Sequence, residues 1–182
     1  MIKPYLKDDL FEGIVSWEEY LLMFNEDVLD KHNTVLISIH DPNRNIHPPQ
    51  KVSGWSDVLQ IQFWDIESPV GNYTVITDDQ GYTIKQFIEK HKDKRFMVHC
   101  AAGVSRSAGV GLAIECIVKY GGDKYLYSTS KSNIKGHSRY SPNYKVYDVI
   151  MDSYNKECTR KGFDFCAVCG NIKTDICLTC IK

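Results

Sequence analysis

The sequence predicts an α/β fold, and three observations carry that prediction. Residues 34–39, 58–63 and 96–98 are short apolar or β-branched runs, too short for helices and suited to buried strands. Segments around them open on helix-capping signals and continue with apolar residues at helical spacing. The pattern ends near residues 156–162, beyond which two Cys-x2-Cys pairs take over. A chain of 182 residues with 43% hydrophobic content can bury one good core and carry a small appendage.

In chain order, the first dozen residues show no usable pattern. Ser16-Trp17-Glu18-Glu19 is a capping box, and Leu21, Phe24 and Val28 follow at helical spacing, which predicts a helix to about Lys31. After the strand at 34–39, Pro42, Pro48, Pro49 and Gly54 make 41–54 a loop. His40 and His47 border or occupy it and read as surface or polar-contact histidines. The strand at 58–63 ends in Trp64-Asp65. Thr77-Asp78-Asp79-Gln80 is a second capping box, with Ile84, Phe87, Ile88 and His91 on one face of the helix that follows. Gly121-Gly122 stops the next helix, predicted over 107–120. Residues 123–140 are polar and without clear periodicity. Ser141 and Pro142 read as N-cap and first position of a last helix, with Tyr144, Tyr147, Met151 and Tyr154 on its packing face.

The chemistry concentrates in residues 96–109. A buried strand runs into a tight loop that begins at Cys100 and ends at Arg106, and an apolar helix follows, its polar edge formed by Glu115 and Lys119. Backbone N–H groups of Ala101, Ala102, Gly103, Val104, Ser105 and Arg106 can converge on one point, where the helix dipole adds partial positive charge. A cysteine facing that field would sit as thiolate at neutral pH. Arg106 supplies a planar fork matched to two phosphate oxygens. Gly103 supplies a positive φ and a close backbone approach. The loop combines a nucleophile with a phosphate cradle.

The run from His99 and Cys100 to Arg106 and Ser107 resembles the Cys-x5-Arg-Ser/Thr signature loop of the cysteine-dependent protein tyrosine phosphatases, closest to their compact dual-specificity branch. Residues 35–42, 58–66, the helix before the loop and 141–147 look like further segments of such phosphatases, so the resemblance covers roughly residues 13–157. It implies a central, mostly parallel sheet of four or five strands flanked by helices, and hydrolysis through a phosphocysteine intermediate. Ser107 would hydrogen-bond the thiolate, as the matching hydroxyl does in the family, and His99 would point away from the pocket on the strand and hold the loop by hydrogen bonds. The leaving oxygen needs a proton from a carboxylic acid. Asp65 is the choice, because functional groups of open α/β sheets gather beyond the carboxyl ends of strands and because Phe63-Trp64-Asp65 resembles the family's segment. Asp78 and Asp79 are the reserve, better explained as first-turn acids, and Asp57 precedes its strand at the wrong end. Trp64 either walls the pocket or belongs to the core.

The substrate is expected to be a phosphorylated protein or peptide. The loop interior from Ala101 to Ser105 lacks lysine and histidine, whereas relatives acting on inositol phospholipids tend to place basic groups there. No aromatic-walled phosphotyrosine-recognition loop is evident, which suggests a shallower pocket taking phosphotyrosine together with phosphoserine and phosphothreonine. Lys135, His137 and Arg139 form either a basic rim or a solvated loop. Two rival functions fit the same loop: an RNA 5′-end phosphatase, and a non-catalytic phospho-binding adaptor.

The tail pairs Cys166 with Cys169 and Cys177 with Cys180, seven residues apart, a four-thiolate set suited to structural zinc and similar to a short zinc ribbon. No catalytic cofactor is required. The domains are therefore 1–157, phosphatase-like, and 158–182, the zinc-ribbon-like tail. A formal net charge of −1 gives no global attraction to nucleic acid or membranes, although the tail leaves a nucleic-acid contact open. No apolar run reaches membrane-spanning length and no signal-peptide core opens the chain, so a soluble cytoplasmic protein is expected. Seven cysteines fit a reactive thiol plus a metal site in a reducing compartment.

Overall fold

The structure is a computed structural model and describes residues 6–43 and 53–160. His47 and the four tail cysteines, Cys166, Cys169, Cys177 and Cys180, lie outside the described residues. Four strands, β1 (Phe11–Ser16), β2 (Thr34–His40), β3 (Val58–Gln62) and β4 (Arg95–Cys100), form one sheet in the order β1-β4-β2-β3. All three pairings are parallel. The helices are α1 (Trp17–Asn25), α2 (Asp78–Lys90), α3 (Arg106–Tyr120), α4 (Lys124–Thr129) and α5 (Tyr144–Arg160). Among the described residues, no helix is long and apolar enough to cross a membrane.

Strand alternation divides the core between the two faces of the sheet. Val35, Ile37, Ile39, Phe96 and Val98 join the larger cluster with Ile84 and Ile88 of α2, Leu112 of α3 and Ile150 of α5. Leu36 and Met97 turn the other way and pack with Val15, Tyr20, Met23 and Trp55 on the α1 side. Each fully buried side chain of this size contributes about 1.5–3 kcal/mol through removal from water, so a one-residue slip of either central strand would be costly. Register therefore places functional groups as firmly as it places the core. It pairs Ser16 with Cys100, Ser38 with His99 and His40 with Gln62, so the carboxyl ends of all four strands share one rim.

Both predicted capping boxes are present, at Ser16 and at Thr77. Gly121 ends α3 in the left-handed conformation. Other expectations need correction. The first helix stops at Asn25, because Asp27 takes φ +52° and turns the chain, leaving Val28 exposed. The edge strand β1 lies in the stretch that showed no pattern. Glu115 and Lys119 do form the expected i,i+4 pair (3.6 Å), with Glu115 buried and accepting from the Tyr127 hydroxyl at 3.2 Å. The last helix is capped by Asn143, whose Oδ1 accepts the Val146 N–H at 3.1 Å, and not by Ser141. Of the two readings of His40, surface or polar contact, the second holds: it is buried, with Nε2 2.7 Å from the Ser38 hydroxyl.

Candidate active site

Cys100 is the last residue of β4 and is 1% exposed. Its Sγ accepts the Gly103 N–H at 3.3 Å and lies 3.2 Å from the Ser107 hydroxyl on the first turn of α3. The loop between them is pressed against the β1–α1 junction. Gly103 has φ +68°, and a Cβ there would stand 2.2 Å from the Ser16 backbone nitrogen, so no larger residue fits without moving backbone.

The loop carbonyls are taken by donors from outside the loop. Trp17 N–H donates to Ala101 O (3.3 Å), Ser141 N–H to Val104 O (3.0 Å) and Asn143 N–H to Ser105 O (3.2 Å). In a planar trans peptide the carbonyl and the following N–H point in opposite directions. The N–H groups of Ala102, Ser105 and Arg106 are thereby turned to the concave side. Ser105 stands at the N-cap of α3 but makes no side-chain cap bond; its hydroxyl donates to Asp65 Oδ1 at 2.7 Å instead. The helix end keeps its donors for an anion.

Arg106 is 3% exposed and held from two sides. Its Nη1 donates to Phe63 O at 2.8 Å and its Nη2 lies 2.9 Å from Asp41 Oδ1. Its Nε is buried with no hydrogen-bond partner among the described residues, and the nearest carboxylate oxygen, Asp65 Oδ2, is 3.9 Å away. A buried donor without a partner is costly unless a ligand completes it. Burial, and then the Arg106 charge, push the His40 imidazole below its ordinary value while Asp41 opposes them.

Asp65 is 37% exposed, and its Oδ1 accepts from both Ser105 Oγ and Asn143 Nδ2 (3.0 Å). The structure thus brings Cys100, Arg106, Ser107 and Asp65 together. Asp78 is turned to Lys156 of α5 (3.1 Å), Asp79 sits beside it in the first turn of α2, and Asp57 pairs with Lys90 and His91. Trp64 stands edge-on to Tyr73. His99 packs behind the loop, 4.6 Å from the Tyr20 ring and 5.3 Å from the Trp17 ring. The thiol of Cys116 is pushed up to about 11 by burial and sits apart, in contact with Tyr147.

Two residues of the site escaped sequence reasoning. Asp41 follows β2 directly, as Asp65 closely follows β3, so the strand-end rule could have found it. Asn143 stood inside a run read for its capping signal and its resemblance to the family, with no role of its own assigned. The basic cluster is largely committed elsewhere: Arg139 pairs with Glu19 on α1, and Lys135 lies 3.5 Å over the Tyr127 ring. Beside the loop, a cleft of about 590 Å³ runs between α1 and residues 137–139, floored by Ala101, Ala102 and Val104.

The carboxyl rim of this parallel α/β sheet presents a cysteine, a close loop and a helix N-terminus. Solved structures agree on that fold. The chain resembles PTPMT1 in complex with PI(5)P, with a TM-score of 0.52 and 19% identity over 78% of this chain and 88% of that one. It also resembles a glycine-to-alanine mutant form of Tk-PTP, with a TM-score of 0.50 and 16% identity over 86% of this chain and 99% of that one. No protein-family model and no curated protein sequence matches the chain.

Proposed function

We propose that this chain is a cysteine-dependent phosphatase that hydrolyses phosphotyrosine, together with phosphoserine and phosphothreonine, in proteins. One observation carries the reading: Cys100 Sγ lies under a helix N-terminus, with Ser107 in contact and the buried Arg106 Nε awaiting an acceptor. The fold shared with PTPMT1 and Tk-PTP supports it.

In the first step the Cys100 thiolate attacks phosphorus in line with the leaving oxygen. The Sγ–P bond forms as the P–O bond breaks, and Asp65 passes its proton to the departing oxygen. Arg106 and the inward N–H groups of the loop hold the equatorial oxygens, whose charge changes little while its distribution shifts. In the second step Asp65, now a carboxylate, takes a proton from water as that water attacks phosphorus. The S–P bond breaks, inorganic phosphate leaves, and the Ser107 hydroxyl receives the thiolate as hydrogen-bond donor. Nothing in the sequence requires a metal for these steps.

Ala101 and Ala102 are exposed and Asp65 is more than a third exposed, so the mouth of the site is open, as turnover needs and as a sealed adaptor would not show. The cleft beside the loop would receive the chain that flanks the phosphorylated residue. With Arg139 paired to Glu19 and Lys135 against Tyr127, the basic cluster of the described residues offers no track for RNA. PTPMT1 has been solved with a phosphoinositide, but its likeness to this chain is one of fold, and the loop here lacks basic side chains between Cys100 and Arg106.

The test is phosphate release from phosphotyrosine, phosphoserine and phosphothreonine peptides, 5′-triphosphorylated RNA and a phosphoinositide, with wild type beside Cys100→Ser. Peptide turnover that disappears in the variant is the expected result. Release from RNA or lipid alone would reassign the substrate, and tight phosphopeptide retention without release would make this a binding module. The four tail thiols, Cys166, Cys169, Cys177 and Cys180, are proposed to hold a structural zinc ion. Purified protein should carry a single zinc per chain, and replacing Cys169 and Cys180 by serine should remove it while leaving small aryl phosphate turnover in place.

A further inference from the structure

We infer that Asn143 is the positioning residue of the general acid, assigning the two oxygens of Asp65 to different tasks. The inference rests on the phosphatase reading above. Asn143 is 3% exposed and every part of it is engaged. Its Oδ1 caps α5 by accepting the Val146 N–H, and its own N–H donates to Ser105 O of the phosphate loop. Its Nδ2 donates to Asp65 Oδ1 (3.0 Å) and reaches toward Ile66 O (3.4 Å). A Cβ on Gly109 would stand 2.5 Å from Asn143 O, so α3 and the start of α5 are in backbone contact here and Asn143 cannot drift. One side chain thus joins the acid-bearing segment, the phosphate loop and a helix cap.

The chemical consequence lies in the acceptor count. Asp65 Oδ1 already receives two donors, the Ser105 hydroxyl and the Asn143 amide. When Asp65 is protonated, the proton resides on Oδ2, the oxygen on the Arg106 Nε side. In this assignment it is Oδ2 that delivers the proton to the leaving group. After transfer, the same two donors hold the carboxylate in place to receive a proton from water. Without the amide, Asp65 Oδ1 is held by the Ser105 hydroxyl alone, the carboxyl is less firmly oriented, and the loss falls on steps that need a proton.

The variants separate this role from the cap. Serine is a good N-cap but too short to reach Asp65, so Asn143→Ser should keep α5 and the melting temperature close to wild type. Its kcat/KM on phenyl phosphate, whose leaving group needs protonation, should fall about tenfold to a hundredfold, below the full loss expected for removing a general acid. Dinitrophenyl phosphate, with a leaving group that departs unaided, should lose little. Combined with Asp65→Asn, Asn143→Ser should cost nothing further on phenyl phosphate. Ser105→Ala, which removes the other donor to Oδ1, should show the same leaving-group dependence to a smaller degree.

Equal loss on both substrates, or an additive loss in the double variant, would overturn the assignment and leave Asn143 a helix cap. If Asn143→Ser melts early, Ser105→Ala and its combination with Asp65→Asn decide by the same two criteria. A wild type without turnover, or a Cys100→Ser variant that retains it, would instead remove the phosphatase reading and this inference with it.

Discussion

Arg106 is held at both terminal nitrogens and left open at Nε. Asp41 and the Phe63 carbonyl hold its two terminal nitrogens, while Nε faces the site without a partner among the described residues. Replacing Asp41 by asparagine would leave a nearly buried guanidinium with a weaker counterweight. Thermal or denaturant unfolding should show a loss of about 1–3 kcal/mol, the range for a buried polar group deprived of its partner. Inhibition by vanadate, which occupies the phosphate position, should weaken in the same variant; unchanged inhibition would mean that Phe63 alone aims the side chain. This is also the scale at which the sequence is most and least legible. Cys100, Gly103, Arg106 and Ser107 fall within eight consecutive positions, and local geometry dictates what each can do, so the amino-acid order alone reveals them. Asp41 and Asn143 act on residues 65 and 78 positions away respectively, and only tertiary folding brings them there, sheet pairing for Asp41 and the contact of α3 with the start of α5 for Asn143.

At the scale of elements, the phosphate loop is a passenger on its neighbours. The N-terminus of α1 receives both the Ala101 carbonyl and the Cα of Gly103, so the α1 cap bears on the loop's shape. Ser16→Ala removes the hydroxyl that accepts the Glu19 N–H, and unfolding should show a loss of about 1 kcal/mol. Turnover should fall with it, because the Ser16 backbone is the floor under Gly103. A stability loss with turnover intact would show that the loop holds its shape unaided. The capping boxes were legible because they are spelled within four residues. Strand β1 was not, since Glu12 in its centre looks like a surface residue. It is wholly buried, and its charge is met by Lys7 and, from β4, by Arg95 (2.5 Å). A strand carrying a buried charge shows its partner only after pairing.

Across the whole molecule, the end of the sheet opposite the site is fastened by charge. Asp57, ahead of β3, is lowered to about 2, first by its hydrogen bond to Lys90 and then by His91, with partial burial opposing them. Both partners stand at the end of α2, so the pair ties that helix to the sheet. The sign is that of a depressed acid. Its contribution is complete above the unfolded value of 3.8 and disappears as pH falls from there to about 2. Unfolding followed through that interval should show the loss in wild type and a shallower dependence in Asp57→Asn. An identical slope in both would place the acid sensitivity elsewhere. The sheet and its flanking helices were foreseeable from the alternation of short apolar runs with capped helices. Strand order was not, because parallel pairing is decided by contacts across the chain and not by neighbours within it.

The carbonyls of the phosphate loop are grasped by Trp17 on one side and by Ser141 and Asn143 on the other. Synthesis on the ribosome delivers these grips at very different times. A growing chain that has emerged as far as Tyr140 already displays Cys100 and Arg106, yet it lacks the two donors that bind the Val104 and Ser105 carbonyls and the amide that reaches Asp65. The shape of this loop is therefore completed only by a segment that leaves the exit tunnel some forty positions after the loop itself begins.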